Sequence, residues 1–475
     1  EAGILIEGFS LGLNVTDVNQ DGWKDVYITN DYLTNDLLYI NNGNGTFTDQ
    51  AATYFKHTSH SAMGNDVADL NNDGLVDVVA VDMMPATNRR KKMMTPANSY
   101  VTYQNNDLFG YQYQVARNTF QLNMGSPARD GKSPVFSEIG LLTGIAETDW
   151  SWTPMVTDFD NDGLRDIIIT NGFPRDITDL DFIAYRNEVS SIMAPMMMLD
   201  YIPSVRIRNF AFKNKGNLAF DDVTSDWGIE TPGFSNGAAY ADLDNDGDLD
   251  YIVNNINDSA MVYRNNSIQL KPAESNYLRI AFRGDRYNGA GIGAIAEITD
   301  ASGKRQVAEN SPYRGYLSTV EPVLHFGLGK EKAVQQVKVT WPGGKSQVLK
   351  NVNANQVLVV NEKDAVLLPT PDAAPAAPLF SDITADLSVS YRHEETDIID
   401  FNVQKLLPHK MSQYGPALAA GDVNGDGLED LFVGGAYLHK GRFLLQRPDG
   451  KFTVSDLLPG PEGFEKTSED MGVLL

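Results

Sequence analysis

Five nine-residue segments of this sequence carry oxygen-bearing side chains at one fixed spacing. They are DVNQDGWKD from Asp17, DLNNDGLVD from Asp69, DFDNDGLRD from Asp158, DLDNDGDLD from Asp242 and DVNGDGLED from Asp422. The shared pattern is D-x-[DN]-x-D-G-x-x-D. Oxygens at positions 1, 3, 5 and 9, a backbone carbonyl at position 7 and a glycine at 6 that permits a sharp turn describe a cage for a hard cation, Ca2+ above all. The expected ligands are Asp17, Asn19, Asp21, Trp23 and Asp25 in the first loop, and Asp69, Asn71, Asp73, Leu75 and Asp77 in the second. The third loop offers Asp158, Asp160, Asp162, Leu164 and Asp166, the fourth Asp242, Asp244, Asp246, Asp248 and Asp250, and the fifth Asp422, Asn424, Asp426, Leu428 and Asp430. Carboxylates this close repel by about 1 kcal/mol per pair at 4 Å even in water, so about five bound Ca2+ are the expected counter-charge. Position 7 supplies only a carbonyl on this reading, so the Asp248 side chain is expected to point to solvent and Asp248→Ala to leave the site intact.

An EF-hand would need a bidentate Glu at position 12 and flanking helices. Position 12 is instead Ile28, Ala80, Ile169, Val253 and Val433, all apolar. Each loop runs into a short β-branched stretch: VYIT from Val26, VVAV from Val78, IIIT from Ile167, YIV from Tyr251 and LFV from Leu431. These predict buried strands. A plain Asp-Gly hairpin turn explains one such pair of residues, not four spaced ligands five times over.

The chain has 475 residues, 38 Lys plus Arg against 63 Asp plus Glu, a net charge of -25, and no cysteine. Its length predicts two or three cores. The acidity suits metal binding and argues against a nucleic-acid partner. Without cysteine there is no disulfide framework, thiolate metal site or cysteine nucleophile, and the compartment stays open. No apolar run approaches the roughly 18 residues of a membrane span.

The repeat has a longer register. Phe47, Phe136 and Phe220 each stand 22 residues before a loop, and Gly3-Ile4, Gly144-Ile145 and Gly228-Ile229 begin 14 before one. Hairpin signals lie between: LLYINNGNGTF from Leu37, FAFKNKGNLAF from Phe210 and FLLQRPDGKF from Phe443. Strands in fours without helices between them predict β-propeller blades over residues 1–270 and again over 380–475. By this register both ends of the chain are expected to fall inside blades. Two insertions, 83–117 and 174–208, interrupt it. The first brings Met, Tyr100, Tyr103, Tyr111, Tyr113 and the basic run Arg89 to Lys92; its residues either pack on the blades or form a ligand-binding rim. The second predicts a helix from about Thr178 with Leu180, Ile183 and Ala184 on one face, ending near Ala194-Pro195. Residues 275–362 alternate with period two and predict a separate β-sandwich without metal or cofactor, followed by a linker, 363–379, containing PTPDAAPAAP.

The repeated loops resemble the FG-GAP/VCBS repeats of integrin-α-type propellers. NGAGIGAIAEI from Asn288, GYLS from Gly315, HFGLG from His325 and WPGG from Trp341 resemble the ASPIC/UnbV domain that accompanies such repeats in the cartilage acidic protein family. The order of segments is similar to that of large surface proteins of Bacteroidota. The resemblance implies an all-β fold of calcium-loop propeller blades and a small sandwich, with helical insertions. It also implies an exported protein at the cell or outer-membrane surface, a lipoprotein accessory to nutrient uptake. Its partners would be glycan or protein, with a TonB-dependent uptake complex among them and membrane contact only through an anchor outside this segment.

Catalytic constellations are scarce. His393-Glu394-Glu395 is followed by Asp397 where HExxH needs His, GGKS at Gly343 has Val339 in place of the first P-loop glycine, and NGAGIGA lacks GxGxxG spacing. The six histidines, 57, 60, 325, 393, 409 and 439, are scattered. Two functional classes remain: a non-enzymatic binding or scaffold module, which the loops favour, and a carbohydrate-active enzyme of the polysaccharide lyase kind, which would need a base and a charge-neutralising cation in one cleft.

Overall fold

The computed structural model describes every residue except 1, 33, 95–98, 127–132, 368–379, 388, 390, 408–411, 413–415, 458–459, 461–465, 467 and 474. The Pro/Ala-rich linker and His409 lie outside the described residues. The fold is all-β, with propeller blades as its main element, and the chain divides into two units, Glu1–Pro371 and Asp372–Leu475.

Blade 1 is an antiparallel meander of Phe9–Thr16, Asp25–Asp31, Leu37–Asn41 and Phe47–Asp49, paired in that order. Blade 2 repeats it with Asn65–Ala68, Asp77–Ala80, Thr119–Asn123 and Phe136–Glu138, and blade 3 with Ser151–Thr157, Asp166–Asn171, Phe210–Asn214 and Phe220–Asp222. Blade 4 has three strands, Ser235–Ala241, Asp250–Asn255 and Met261–Tyr263. The second unit holds a four-stranded blade of Leu418–Gly421, Asp430–Val433, Arg442–Gln446 and Phe452–Asp456. In every blade the acidic loop joins the first strand to the second. The β-branched runs after the loops are these second strands, and that of blade 3 is buried along its whole length, as a strand flanked on both faces must be. The three spaced phenylalanines open the fourth strands. Gly144 and Gly228 take left-handed φ of +77° and +73° after the turn that follows, dropping Ile145 and Ile229 into the packing between blades.

Both insertions join second to third strands, so they emerge at the end of the blades opposite the acidic loops. The first contains helices Asn88–Met93 and Tyr100–Phe109. Its basic run is used internally: Arg90 grips Asp149 at 3.1 Å and Asp176 at 2.9 Å, and Lys91 meets Glu147 at 2.5 Å. The second insertion has a helix at Leu180–Val189 whose N-cap, Asp179, accepts the Phe182 amide. Two details depart from expectation. The buried side chain is Phe182, not the Leu180–Ala184 face, and the helix ends at Val189, with Pro195 opening a new turn, Pro195–Met198, where its missing N–H costs nothing.

The remaining strands of the first unit form a sandwich. One sheet orders Val323–Gly329, Asn276–Arg283 and Gln356–Asn361; the other orders Arg305–Glu309, Ile295–Thr299, Ala333–Thr340, Lys345–Asn353 and Val366–Leu367. Trp341, Phe326 and Leu278 fill the space between them. NGAGIGA is a tight turn beneath this core, with Gly291 at φ +65° against Phe282 and Trp341. The last strand lies beyond the expected boundary at 362. The sandwich is also not separate: it belongs to the same compact unit as blades 1 to 4. Its hairpin, Tyr313–Arg314 with Ser318–Thr319, lies across the first strands of all four. Tyr316 bridges Gly12 of blade 1, Gly315 N donates to Asn65 O of blade 2 at 2.9 Å, Tyr316 N to Thr153 Oγ1 of blade 3 at 3.0 Å, and Ser318 Oγ accepts the Ala238 amide of blade 4 at 3.1 Å. The GYLS motif is therefore a clamp on the blades.

Gly315 has φ +50°, and a Cβ there would meet Thr153 Cγ2 at 2.1 Å. Gly315→Ala is expected to destabilise the protein by roughly 2–4 kcal/mol, from left-handed strain plus overpacking. Gly289→Ala, whose nearest neighbour would be Asp285 O at 3.8 Å, serves as the near-neutral control. Denaturant midpoints of the two variants check this; equal midpoints would remove the clamp role.

Candidate metal centre

The five loops share one hydrogen-bond scaffold. The position 1 carboxylate accepts the amide of position 5: Asp21 to Asp17 at 3.0 Å, Asp73 to Asp69 at 3.1 Å, Asp162 to Asp158 at 3.1 Å, Asp246 to Asp242 at 3.1 Å and Asp426 to Asp422 at 3.2 Å. The position 5 carboxylate accepts the amide of position 7, at 2.8 to 3.1 Å. The position 6 glycines all have φ between +84° and +101°, so the sharp turn is real. At position 9, Asp25, Asp77, Asp166, Asp250 and Asp430 are buried, and each accepts two amides. One comes from position 2 of its own loop (Val18, Leu70, Phe159, Leu243, Val423) and one from the end of the third strand or just beyond it (Asn41, Asn123, Asn214, Asn265, Gln446).

Among the described residues, carboxylate oxygens converge to within 4.8 Å of one another in two sets, Asp158 with Asp160 and Asp166, and Asp242 with Asp244 and Asp246. These are the two loops with Asp at position 3. Where Asn19 and Asn71 stand there, the carboxamide instead donates to Asp21 and Asp73, at 3.1 and 2.9 Å. Burial drives the pKa values of Asp158 and Asp166 well upward, and repulsion from loop carboxylates adds to it, from Asp162 and Asp160 on Asp158 and from Asp158 and Asp160 on Asp166. Burial likewise raises Asp25 to about 6 and Asp77 to about 8 against the amide bonds that favour ionisation. The exposed fifth loop behaves oppositely: the Gly427 amide holds Asp422 below its usual value.

A divalent cation fits this donor set. Asp160 Oδ1 is buried without a hydrogen-bond partner, and the Lys213 ammonium stands on Asp160 and Asp162 as an internal positive charge. In loop 4 the Arg279 guanidinium does the same for Asp242, at 2.8 Å.

Position 4, unassigned in the motif, links loop to loop. Gln20 donates to Gly74 O at 2.8 Å, Asn72 to Gly163 O at 2.9 Å and Asn161 to Gly247 O at 3.3 Å, so each side chain reaches the glycine carbonyl of the next loop. All three have positive φ of 57° to 61°, a conformation Asn tolerates. The visible signal was the run of Gln, Asn, Asn and Asn at position 4 in the first four loops.

Position 7 corrects an expectation. Trp23, Leu75 and Leu164 lie against Gly43, Gly125 and Gly216 of the hairpin joining strands three and four. Asp248 takes the same seat and is fully buried, with Oδ2 accepting the Ile268 amide at 3.1 Å, so it does not face solvent. The reason is local: in blade 4 that hairpin is replaced by a helical turn, Ser267–Leu270, whose amides face the carboxylate. Burial, then repulsion from Asp246 and Asp250, raises Asp248 to about 7 despite that amide.

The sandwich covers the loops of the first unit. Lys24 and Thr16 meet Glu309 at 2.8 and 2.9 Å, and Arg165 at position 8 of loop 3 donates to Val307 O and Asp69 O. HFGLG lies directly on loop 3: His325 Nε2 and Asn161 Oδ1 are 2.6 Å apart, Gly329 N donates to Asn161 O at 2.7 Å, and a Cβ on Gly327 would meet Asp158 Oδ2 at 1.9 Å. Burial, with Arg279 beside it, lowers His325 to about 3 and keeps it neutral. His57 is engaged elsewhere, with Arg117 and Glu138, as part of blade 2.

Residues 284–367 match the ASPIC and UnbV family, residues 17–80 the FG-GAP-like repeat and residues 414–441 the FG-GAP repeat. The chain is an FG-GAP-repeat protein with an ASPIC/UnbV domain. Its relatives include cartilage acidic protein 1 of Mus musculus, 26% identical over 368 residues, covering 76% of this chain and 46% of the relative. The Homo sapiens protein is 26% identical over 385 residues, covering 78% and 47%. This FG-GAP protein thus spans about half the length of the relatives it matches. A solved Agrocybe aegerita lectin, described for its specific recognition of non-reducing terminal N-acetylglucosamine, aligns over 94% of this chain and 79% of its own at 13% identity. Its TM-score of 0.24 carries no argument.

Two outcomes follow from the geometry. Gly327→Ala, 161 or more residues from loop 3 in sequence, is expected to cost about 1–3 kcal/mol by overpacking and to weaken cation binding at loop 3, read by calorimetric titration beside wild type; unchanged titration would detach the sandwich from the loop. Second, Asp25, Asp248 and Asp77 have folded pKa values raised to about 6, 7 and 8 from 3.8. Stability from a raised carboxyl is complete below its unfolded pKa and is lost as pH rises through the folded one. In chelator, melting temperature is therefore expected to fall between about pH 4 and 8, and Ca2+, which binds the ionised form, to flatten the fall.

Proposed function

We propose that this protein is a non-enzymatic, extracellular calcium-binding scaffold that presents a rim to glycan or protein partners at the cell surface. The FG-GAP repeats and the likeness to cartilage acidic protein 1 support an extracellular binding or scaffold module. No helix among the described residues is long and apolar enough to cross a membrane. The observation that carries the calcium reading is loop 3, where the buried Asp158 and Asp166 and the half-buried Asp160 bring carboxylate oxygens within 4.8 Å of one another. Such a group holds together as carboxylates only around a cation. Ca2+ would be held by the aspartates at positions 1, 3, 5 and 9, and would rigidify the blades; Asn19, Asn71 and Asn424 make their loops the weaker sites.

The partner surface follows from which end is free. The loop end is covered by the sandwich, whereas the insertions at the other end expose Phe109, Leu108, Ile192, Met196 and Tyr201. Exposed apolar and aromatic groups gathered on inserted loops suit a binding rim. Attachment to an outer membrane as a lipoprotein, in the service of a TonB-dependent uptake complex, completes the proposal.

The test is thermal melting and calorimetric titration in millimolar Ca2+ and in excess chelator. Each occupied site is expected to stabilise by about 1–2 kcal/mol at the affinities of extracellular calcium modules. Asp158→Ala should abolish one site. Asp248→Ala should also lower the melting temperature, since it removes the acceptor for the Ile268 amide. Equal melting temperatures with and without calcium would overturn the reading.

A further inference from the structure

Blades 1, 2 and 3 complete their sheets with a fourth strand that begins with Phe. The pairs are Asn41 with Phe47, Asn123 with Phe136 and Asn214 with Phe220, followed by Ile40 with Thr48, Leu122 with Ser137 and Lys213 with Asp221. Among the described residues, blade 4 lacks this strand: Met261–Tyr263 pairs there only with Asp250–Asn255, no described strand lies on its other edge, and Val262 is 63% exposed. The turn that should lead back is started and not finished. Asn265 Oδ1 accepts the Ser267 amide at 3.0 Å, as Asn41, Asn123 and Asn214 accept those of Gly43, Gly125 and Gly216. Those glycines have φ of +71° to +76°; Ser267 opens a helical turn instead, and the chain leaves for the sandwich.

The seat of the missing side chain is also open. Between blades 1 and 2, the Phe136 ring packs on Tyr54 and Phe55, centroids 6.5 and 5.0 Å away, from the segment after the fourth strand of blade 1. The corresponding segment of blade 3 supplies Trp227 and Ile229, and blade 4 supplies Leu249, Tyr251 and Tyr263, around a groove of about 570 Å³. Tyr251 Oη is buried there without a hydrogen-bond partner. Lys213, Lys215, Arg264 and Lys271 edge the groove together with Asp160 and Asp226; Lys213 is already paired with Asp160 and Asp162, and Lys215 stands 3.9 Å from Asp221. Arg264 stands where blade 3 has Lys213, opposite Asp221.

We propose that the open edge of blade 4 is a receptor for an extended strand of the Phe-Asp-Asp type from a partner polypeptide, which pairs with Met261–Asn265 and seats its Phe between blades 3 and 4. Main-chain hydrogen bonds to an unpaired edge supply affinity and alternate side chains supply specificity. The acidic residue after Phe faces Arg264, which selects this strand over the Phe-Thr-Asp and Phe-Ser-Glu types of blades 1 and 2.

The probe is a fluorescent peptide with the sequence of residues 216–231, GNLAFDDVTSDWGIET, titrated with the chain in Ca2+ and followed by anisotropy. Saturable binding is expected, and replacing the peptide's Phe by Ala should weaken it at least about tenfold, as the loss of one buried aromatic side chain does. Arg264→Glu, at an exposed position, should weaken the Phe-Asp-Asp peptide and favour a Phe-Lys-Asp peptide. Absence of saturable binding, or binding indifferent to the Phe, overturns the proposal. Concentration-dependent self-association of the chain without peptide binding would assign the edge to a second copy and overturn it as well.

Discussion

A buried carboxylate that accepts two backbone amides holds each blade together. Asp25, Asp77, Asp166, Asp250 and Asp430 end their acidic loops and begin their second strands. One amide comes from the start of the loop and the other from the far end of the third strand, so a single side chain fixes the loop's closure and the neighbouring strand's register. Burying an ionised group costs several kcal/mol, which two charge-assisted hydrogen bonds offset in part. The rest falls to whatever positive charge the loop can gather. That debt explains why acidic loops, lysine and arginine partners, and a covering domain all occur at the same end of the blades.

The loops of the first unit answer it differently. Where position 3 is Asn, a carboxamide hydrogen bond quiets the position 5 aspartate. Where it is Asp, a distant cation arrives: Lys213 in loop 3, Arg279 in loop 4. The sandwich then closes over the loops, and because Gly327 must approach Asp158 without a Cβ, its HFGLG motif is shaped by the blade beneath it as well as by its own core. The covered end is thus committed to intramolecular packing, and the insertions own the opposite one.

Blade 4 shows how one departure propagates. The chain must leave this blade after its third strand to build the sandwich. The hairpin glycine therefore gives way to Ser267, the covering hairpin to a helical turn, the apolar residue of position 7 to Asp248, and the fourth-strand phenylalanine to an open groove. Four oddities have one cause.

The sequence by itself determined the loops, the second strands behind them, the fourth-strand phenylalanines and the alternating strands of the sandwich, because these depend on spacing within a few residues and on the two-residue period of a pleated chain. It placed a helix start at about Thr178 for the same local reason, yet not that Phe182 would be the buried face, since a helix with little apolar contrast is oriented by what it meets. Only the tertiary structure decided that Asp248 is buried, that GYLS clamps four blades, and that position 4 links one loop to the next. Each depends on partners brought close from far along the chain: Lys213 reaches Asp162 across 51 positions, Arg279 reaches Asp242 across 37, and His325 reaches Asn161 across 164. A motif specifies which oxygens can meet; the packing of blades and sandwich decides which charges stand beside them.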